Sequence, residues 1–376
     1  MGKKMMTISL YCQVMHLVMC CLLCFSGYGH SLKSAMYLFG SSVLDMGTNN
    51  YLPNGAKGNY YPYGIDYPGG EATGRFSNGK NAGDFLVEMV GVPSPKPSLS
   101  ISNKSDMVEE FLKGVNFASG GAGVLDTTYP AYCMTLSQQI GLFNEMVEKT
   151  VDKIGHIETF EHMKRSYIVL NIGNNDITIA SNSGVDPEEY ASLLIFTLHP
   201  HLKNIYDVGG RRFVTISTGA QGCLPRARTE TGGCSEETNK LAKAYNTKLA
   251  SLMQTLQSEA DSDDPLHYSY FDLFAAHELL NSIRESLGFT EGVVACCGTG
   301  AFNGSAYRCA PGTVPCDNRT NHIYWDNVHY TERFTGLLMR LAFYGSDPYV
   351  KPINVKELSE IPVLSLYPTD QVKSTK

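Results

Sequence analysis

Four short apolar runs stand out along the chain, at residues 35–39, 167–172, 212–216 and 268–271. None shows the apolar–polar alternation of a strand with one wet face, so each predicts a strand covered on both sides, as in a parallel sheet. Between them, residues 81–90, 136–150, 187–208 and 236–259 repeat apolar positions at helical spacing. Strand and helix alternate, which predicts an α/β chain: a three-layer α/β/α sandwich around a central, mainly parallel sheet. Loops rich in Gly and Pro, at 53–78 and 298–315, interrupt the pattern without separating two cores. Residues 30–376 are therefore expected to form one domain, with long loops decorating one end of the sheet.

The first residues do not fit that pattern. Lys3 and Lys4 precede an uncharged stretch whose centre, 14–25, is rich in Leu, Val, Met and Cys, with Gly27 and Gly29 after it. This is the layout of a secretory signal peptide, expected over residues 1–29. An uncleaved anchor is the alternative, but the run is short of a full bilayer span. The formal charge of −7 over 376 residues argues against a phosphate-backbone partner, because nucleic-acid binders display a dense basic face.

Cysteine usage changes the picture further. Of 11 Cys, four (Cys12, Cys20, Cys21 and Cys24) lie in the leader segment, leaving Cys133, Cys223, Cys234, Cys296, Cys297, Cys309 and Cys316. In an oxidising compartment Cys223 and Cys234 are an obvious pair, and the last four could form two more bridges, with Cys133 as the odd thiol. A zinc site is the rival reading, but no C-x-x-C knuckle is present. Sequons at Asn103, Asn303 and Asn318 fit a glycosylated, secreted, extracellular protein.

Ligands of open α/β sheets gather beyond the carboxyl ends of strands. Two polar segments follow apolar runs: Phe39-Gly40-Ser41-Ser42, and Gly173-Asn174-Asn175-Asp176. A Ser at such a junction can present its hydroxyl to a cleft with its N–H beside it, and an Asn amide could donate to the same oxygen. A nucleophilic Ser needs a base, and the base an orienter. Asp326-Asn327-Val328-His329 supplies both at a spacing of three, but so does Asp264 to His267, which precedes an apolar run and reads as a loop feature. No G-x-S-x-G elbow occurs. His156, His162, His199 and His277 have no matching partners and read as surface or core residues. The charged stretch 145–153 reads as a solvated helix face, and Tyr60, Tyr61, Tyr63 and Tyr67 could line an acyl pocket or bind sugars.

Taken together, these motifs resemble the plant-type GDSL esterase/lipase family, a branch of the SGNH hydrolases, from about residue 35 to about residue 341. Phe39 to Ser42 resembles the nucleophile block, 116–123 (Asn-Phe-Ala-Ser-Gly-Gly-Ala-Gly) the glycine block, 173–176 the asparagine block and 326–329 the final block. Tyr63-Gly64-Ile65-Asp66-Tyr67-Pro68, Thr73-Gly74-Arg75-Phe76-Ser77-Asn78-Gly79 and Cys296-Cys297-Gly298-Thr299-Gly300 are similar to loops of the plant members.

The resemblance implies a flavodoxin-like SGNH fold and a secreted serine esterase or lipase that works through an acyl-enzyme without metal or other cofactor. Ser42 would be the nucleophile, His329 the general base and Asp326 its orienter. Ser42 N–H, Gly120 N–H and the Asn175 amide would form the oxyanion hole, with Gly121 the alternative to Gly120. Gly120 is expected to let the backbone approach substrate closely. The chain departs from the family at Ser41, where Asp is usual, and at Val43, where Leu is usual. Small-molecule or lipid esters are the expected substrates, met in solution, at a lipid interface or on a cell-wall polysaccharide, with no obligate protein partner. The alternatives are a polysaccharide O-acetyl esterase, an acyltransferase on the same fold, and a secreted binding protein whose site is weakened by Ser41.

Overall fold

The computed structural model describes residues 33–305 and 309–363, and the segment read as a leader, 1–29, lies outside them. Seven strands form one sheet: β1 (Met36–Gly40), β2 (Lys96–Pro97), β3 (Val115–Asn116), β4 (Tyr167–Asn171), β5 (Arg212–Ile216), β6 (His267–Phe271) and β7 (Val350–Pro352), in the order β2-β3-β1-β4-β5-β6-β7. All neighbours run parallel except β6 and β7. The four apolar runs become β1, β4, β5 and β6, shifted by a residue at some ends. The strands β2, β3 and β7 span only two or three residues, too few to carry a readable period.

Helices flank the sheet where the spacing predicts them, and local capping sets their starts. Asn81 and Asp84 form a capping box at Ala82–Val90, and Thr135 and Gln138 do the same at Leu136–Ile154, which runs past residue 150 to Gly155. Asp186 caps Pro187–Asp207 and Ser235 caps Glu236–Glu259. Successive β1 side chains point to opposite layers. Tyr37 and Phe39 pack into a cluster with Phe111, Phe117 and Phe143, whereas Met36 and Leu38 join Val169, Val214 and Phe334 on the other face. Each fully buried Phe contributes about 2–3 kcal/mol of transfer free energy.

A third, smaller cluster of Tyr63, Phe76, Cys296, Cys297, Cys309 and Trp325 gives the long loops a core of their own. It is stapled by Cys296–Cys316 and Cys297–Cys309, and Cys223–Cys234 closes a further loop. These six cysteines are therefore not a zinc site. Among the described residues Cys133 is the free thiol; it is buried, and burial pushes its pKa up to about 12.

From β1 the chain first builds β2 and β3 on one side and then β4 on the other. The strand order thus reverses around β1, and the segments following β3, β1 and β4 meet at one crevice, where open α/β sheets bind ligands.

Candidate active site

β1 ends in a turn that only glycine fits. Gly40 has φ 132, and a Cβ there would lie 2.0 Å from the Asn171 carbonyl oxygen. The Gln139 side chain braces this residue from both sides, accepting from Gly40 N–H and donating to its carbonyl, each at 2.9 Å. Ser41 N–H donates to Asn171 O at 3.1 Å, and the Ser41 carbonyl accepts from Leu44 and Asp45 N–H at 3.1 and 3.0 Å. The next residue, Ser42, is left part-buried at the crevice. Ser41 Oγ is buried and has no hydrogen-bond partner among the described residues, so the turn holds through its backbone and Gln139, without a carboxylate at 41.

His329 Nε2 lies 2.8 Å from Ser42 Oγ, and its Nδ1 lies 2.8 Å from the Asp326 carboxylate. The carboxylate also accepts from Val328 N–H (3.0 Å), His329 N–H (2.8 Å) and the Tyr63 hydroxyl (2.7 Å). Burial opposes ionisation of Asp326, but His329, Tyr63 and the Val328 N–H outweigh it and hold the pKa down to about 2. An ionised carboxylate only accepts, so Nδ1 carries the proton and Nε2 is left to accept from the Ser42 hydroxyl. The Phe76 ring stacks on the imidazole, with centroids 5.2 Å apart.

The glycine block packs differently from the expectation. The Gly120 N–H donates to Asp45 Oδ2 at 2.8 Å, so it faces a fully buried carboxylate instead of a substrate oxygen. The missing Cβ at Gly120 serves the ring beside it, because a Cβ would lie 2.4 Å from Phe76 Cε2. Gly121 N–H has no acceptor among the described residues. Asp45 also accepts from Gly47 and Thr48 N–H at 2.8 and 2.7 Å, tying the turn after β1 to the glycine block, and burial pushes its pKa up to about 6. On the far side of the block, Asp176 accepts from Val124 N–H (2.8 Å), Leu125 N–H (3.1 Å) and the Thr128 hydroxyl (2.7 Å).

Of the two asparagines after β4, Asn174 is locked between Asn171 Oδ1 and Gln221 Nε2, each at 2.8 Å. Asn175 donates one amide hydrogen to Ala122 O at 2.9 Å and lines the same cleft as Ser42 and His329. That cleft has an apolar wall, including Val43, Ile216, Leu224, Leu273, Leu338 and Met339. None of Tyr60, Tyr61, Tyr63 and Tyr67 lines it, and Tyr129 and Tyr330 do so instead. Tyr63 is buried against Asp326, Tyr60 packs on Tyr63, Arg75 covers Tyr67, and Tyr61 is exposed.

Elsewhere, His162 is buried with its Nε2 2.8 Å from the Tyr37 hydroxyl, His277 is buried, and His199 pairs at the surface with Glu259. Burial pushes the pKa of both His162 and His277 down to about 4. Asn103 and Asn318 are exposed, whereas Asn303 is part-buried and donates its amide to Ala295 O at 2.8 Å. Phe76, Asp45 and Gln139 bear on the site without having stood out as site residues, and nothing in their spacing marks them, whereas Tyr63, read as a pocket or sugar-binding residue, instead holds the Asp326 carboxylate, and Asp176 of the asparagine block instead braces the glycine block. Among the described residues no group of three or more His, Cys, Asp or Glu could hold a metal ion, and no helix is long and apolar enough to cross a membrane.

The profile of the GDSL-like lipase/acylhydrolase family matches residues 36–339. GDSL esterase/lipase At5g08460 of Arabidopsis thaliana is 33% identical over 341 residues, covering 87% of this chain and 88% of the relative. GDSL esterase/lipase 7 of the same plant is 33% identical over 348 residues, covering 88% and 93%. With Ser42, Asn175 and His329 on one cleft and this agreement across nearly the whole described chain, the protein belongs to the GDSL-like lipase/acylhydrolase family.

Proposed function

We propose that the protein is a serine hydrolase of carboxylic esters. The observation that carries this reading is the unbroken chain from Ser42 Oγ through His329 to Asp326, with both links at 2.8 Å. Family membership supports hydrolysis of esters in general. Ser42 Oγ attacks the ester carbonyl while His329 Nε2 takes its proton, and the Asp326 carboxylate stabilises the imidazolium. The tetrahedral intermediate collapses as the imidazolium protonates the departing alcohol. Water, deprotonated by His329, then releases the acid from the acyl-Ser42. The oxyanion is held by Ser42 N–H and the Asn175 amide. The third donor moves from Gly120, whose N–H is donated to Asp45, to Gly121.

The apolar wall of the cleft suits an aliphatic acyl group and favours lipid-like esters over polysaccharide acetyl groups. A non-catalytic role rested on the missing carboxylate at 41. The backbone and Gln139 contacts of the turn support an active site without it. We also read the chain as secreted, with residues 30–376 as the mature domain and glycans at Asn103 and Asn318. Sequencing the N-terminus of exported protein checks this.

Hydrolysis of p-nitrophenyl esters from acetyl to long acyl chains tests the activity. Ser42→Ala should lower kcat by at least about 10⁴-fold and abolish labelling by a serine-directed phosphonate. Asn175→Ala should cost roughly 10²–10³ in kcat. Wild-type protein that is folded, yet neither labelled nor active on any ester, would sink the reading.

A further inference from the structure

The cleft that holds Ser42 and His329 contains one other ionisable cation, Arg226, and its lining includes no Asp, Glu or Lys. The Arg226 side chain is part-buried and forms no hydrogen bond or ion pair among the described residues. Its backbone N–H donates to Asn327 O at 3.0 Å, which joins it to the turn that carries Asp326 and His329. The neighbouring Arg228, by contrast, is anchored through its Nε to Cys223 O at 2.8 Å. A chain with 37 Asp and Glu and a net charge of −7 has ample carboxylate to pair its arginines, as Arg75, Arg165, Arg211 and Arg319 show. Arg226 has been left without one, in the cleft where substrate must lie. A guanidinium held partly out of water, next to apolar walls and without an acceptor, gains most from an anion that arrives from outside. Around it, Asn174, Thr178, Gln221 and Asn327 add uncharged polar groups to the same lining.

We infer that Arg226 is a specificity residue that binds an anionic group, a carboxylate or a phosphate, carried by the ester substrate. This rests on the hydrolase reading and names the substrate class: an acyl ester bearing a negative charge outside the scissile bond. A planar fork of donors binds either oxyanion in two-point fashion, whereas Lys offers only a point charge. The overall negative charge of the protein repels such substrates at long range, so a local cation is what admits them.

Two arms test it. In the first, kcat/KM is measured for pairs of esters with one acyl chain: p-nitrophenyl butanoate, its ring-carboxylated counterpart, and a phosphate-bearing butanoate ester. In Arg226→Gln the preference for each anionic ester over the neutral one should fall by roughly 10- to 100-fold, and Arg226→Lys should restore part of it. Loss with one anion alone identifies the group. An unchanged preference in Arg226→Gln overturns the inference. In the second arm, butyl phosphate and butanoate bind to the Ser42→Ala protein, where no turnover is needed. Weakening by Arg226→Gln in that background supports the anion site even if no ester is cleaved, which is how failure of the hydrolase reading would show itself. Equal binding with and without the guanidinium rejects it.

Discussion

The chain contains the same four-residue Asp-x-x-His motif twice, and the two copies have opposite fates. Asp326 and His329 share a buried contact of 2.8 Å, and the far side of the imidazole meets Ser42. Asp264 instead forms ion pairs with Lys164 at 2.8 Å and Arg211 at 2.7 Å, and His267 opens β6 with burial and Arg212 lowering its pKa. The difference is the company each carboxylate keeps. Around Asp326 the donors are a hydroxyl, two backbone N–H groups and one imidazole, with no Lys or Arg paired to it among the described residues. Around Asp264 two permanent cations claim the carboxylate first. The copies also differ in position: Asp264 lies ahead of a parallel strand and His267 is its first residue, whereas the 326–329 turn faces the carboxyl ends of β1 and β4. An Asp and a His three apart are thus only a possibility that the surrounding charges accept or refuse.

Exchanging the carboxylates for amides separates the two copies most sharply. Asp326→Asn leaves a group that cannot accept the Nδ1 proton as an anion, and kcat should fall by about 10³–10⁴, with the protein still folded by circular dichroism. Asp264→Asn should leave kcat within about twofold and act on stability instead. Lys164 and Arg211 lose their counter-ion, and, discounted for the solvent that reaches Asp264, unfolding should become easier by about 1–2 kcal/mol. If Asp264→Asn abolished turnover in folded protein, the comparison would fail.

A smaller effect tests why Asp326 succeeds. Tyr63→Phe removes a neutral donor to the carboxylate while keeping the ring that packs on Trp325. We expect kcat to fall by about tenfold with KM little changed. The same substitution should move the acid limb of the pH–rate profile to higher pH, since a less shared carboxylate holds the imidazolium more tightly. A parallel loss in kcat and KM with an unmoved limb would mean that Tyr63 only packs.

The smallest effect is on stability against pH. The Asp326 carboxyl is lowered to about 2, so its contribution is fully present above the ordinary aspartate range and is lost as pH falls through about 2. The difference in unfolding free energy between wild type and Asp326→Asn should therefore shrink between about pH 4 and pH 2, as followed by denaturant titration. A difference that stayed constant across that window would mean that the pairing with His329 does not hold the carboxyl down.

Much of the fold was legible because it depends on near-neighbour patterns. Apolar runs without alternation mark buried parallel strands, and apolar positions at helical spacing mark the helices between them. The family blocks around Ser42, Asn175 and His329 were legible for the same reason, each being a short local motif. The two-residue strands were not, nor was the reassignment of Gly120, whose N–H and missing Cβ are matched to Asp45 and Phe76, 75 residues before it and 44 residues before it respectively.

By itself, then, the sequence determined the α/β alternation, the order of the blocks and the residue types able to do ester chemistry, because helix, strand and turn preferences act over a few residues. Only the tertiary structure decided which of two Asp–His pairs meets a serine, which glycine N–H is left without an acceptor, and that Arg226 stands unpaired in the cleft. Those outcomes turn on which charges and donors are brought together from distant segments, and local spacing carries no record of them.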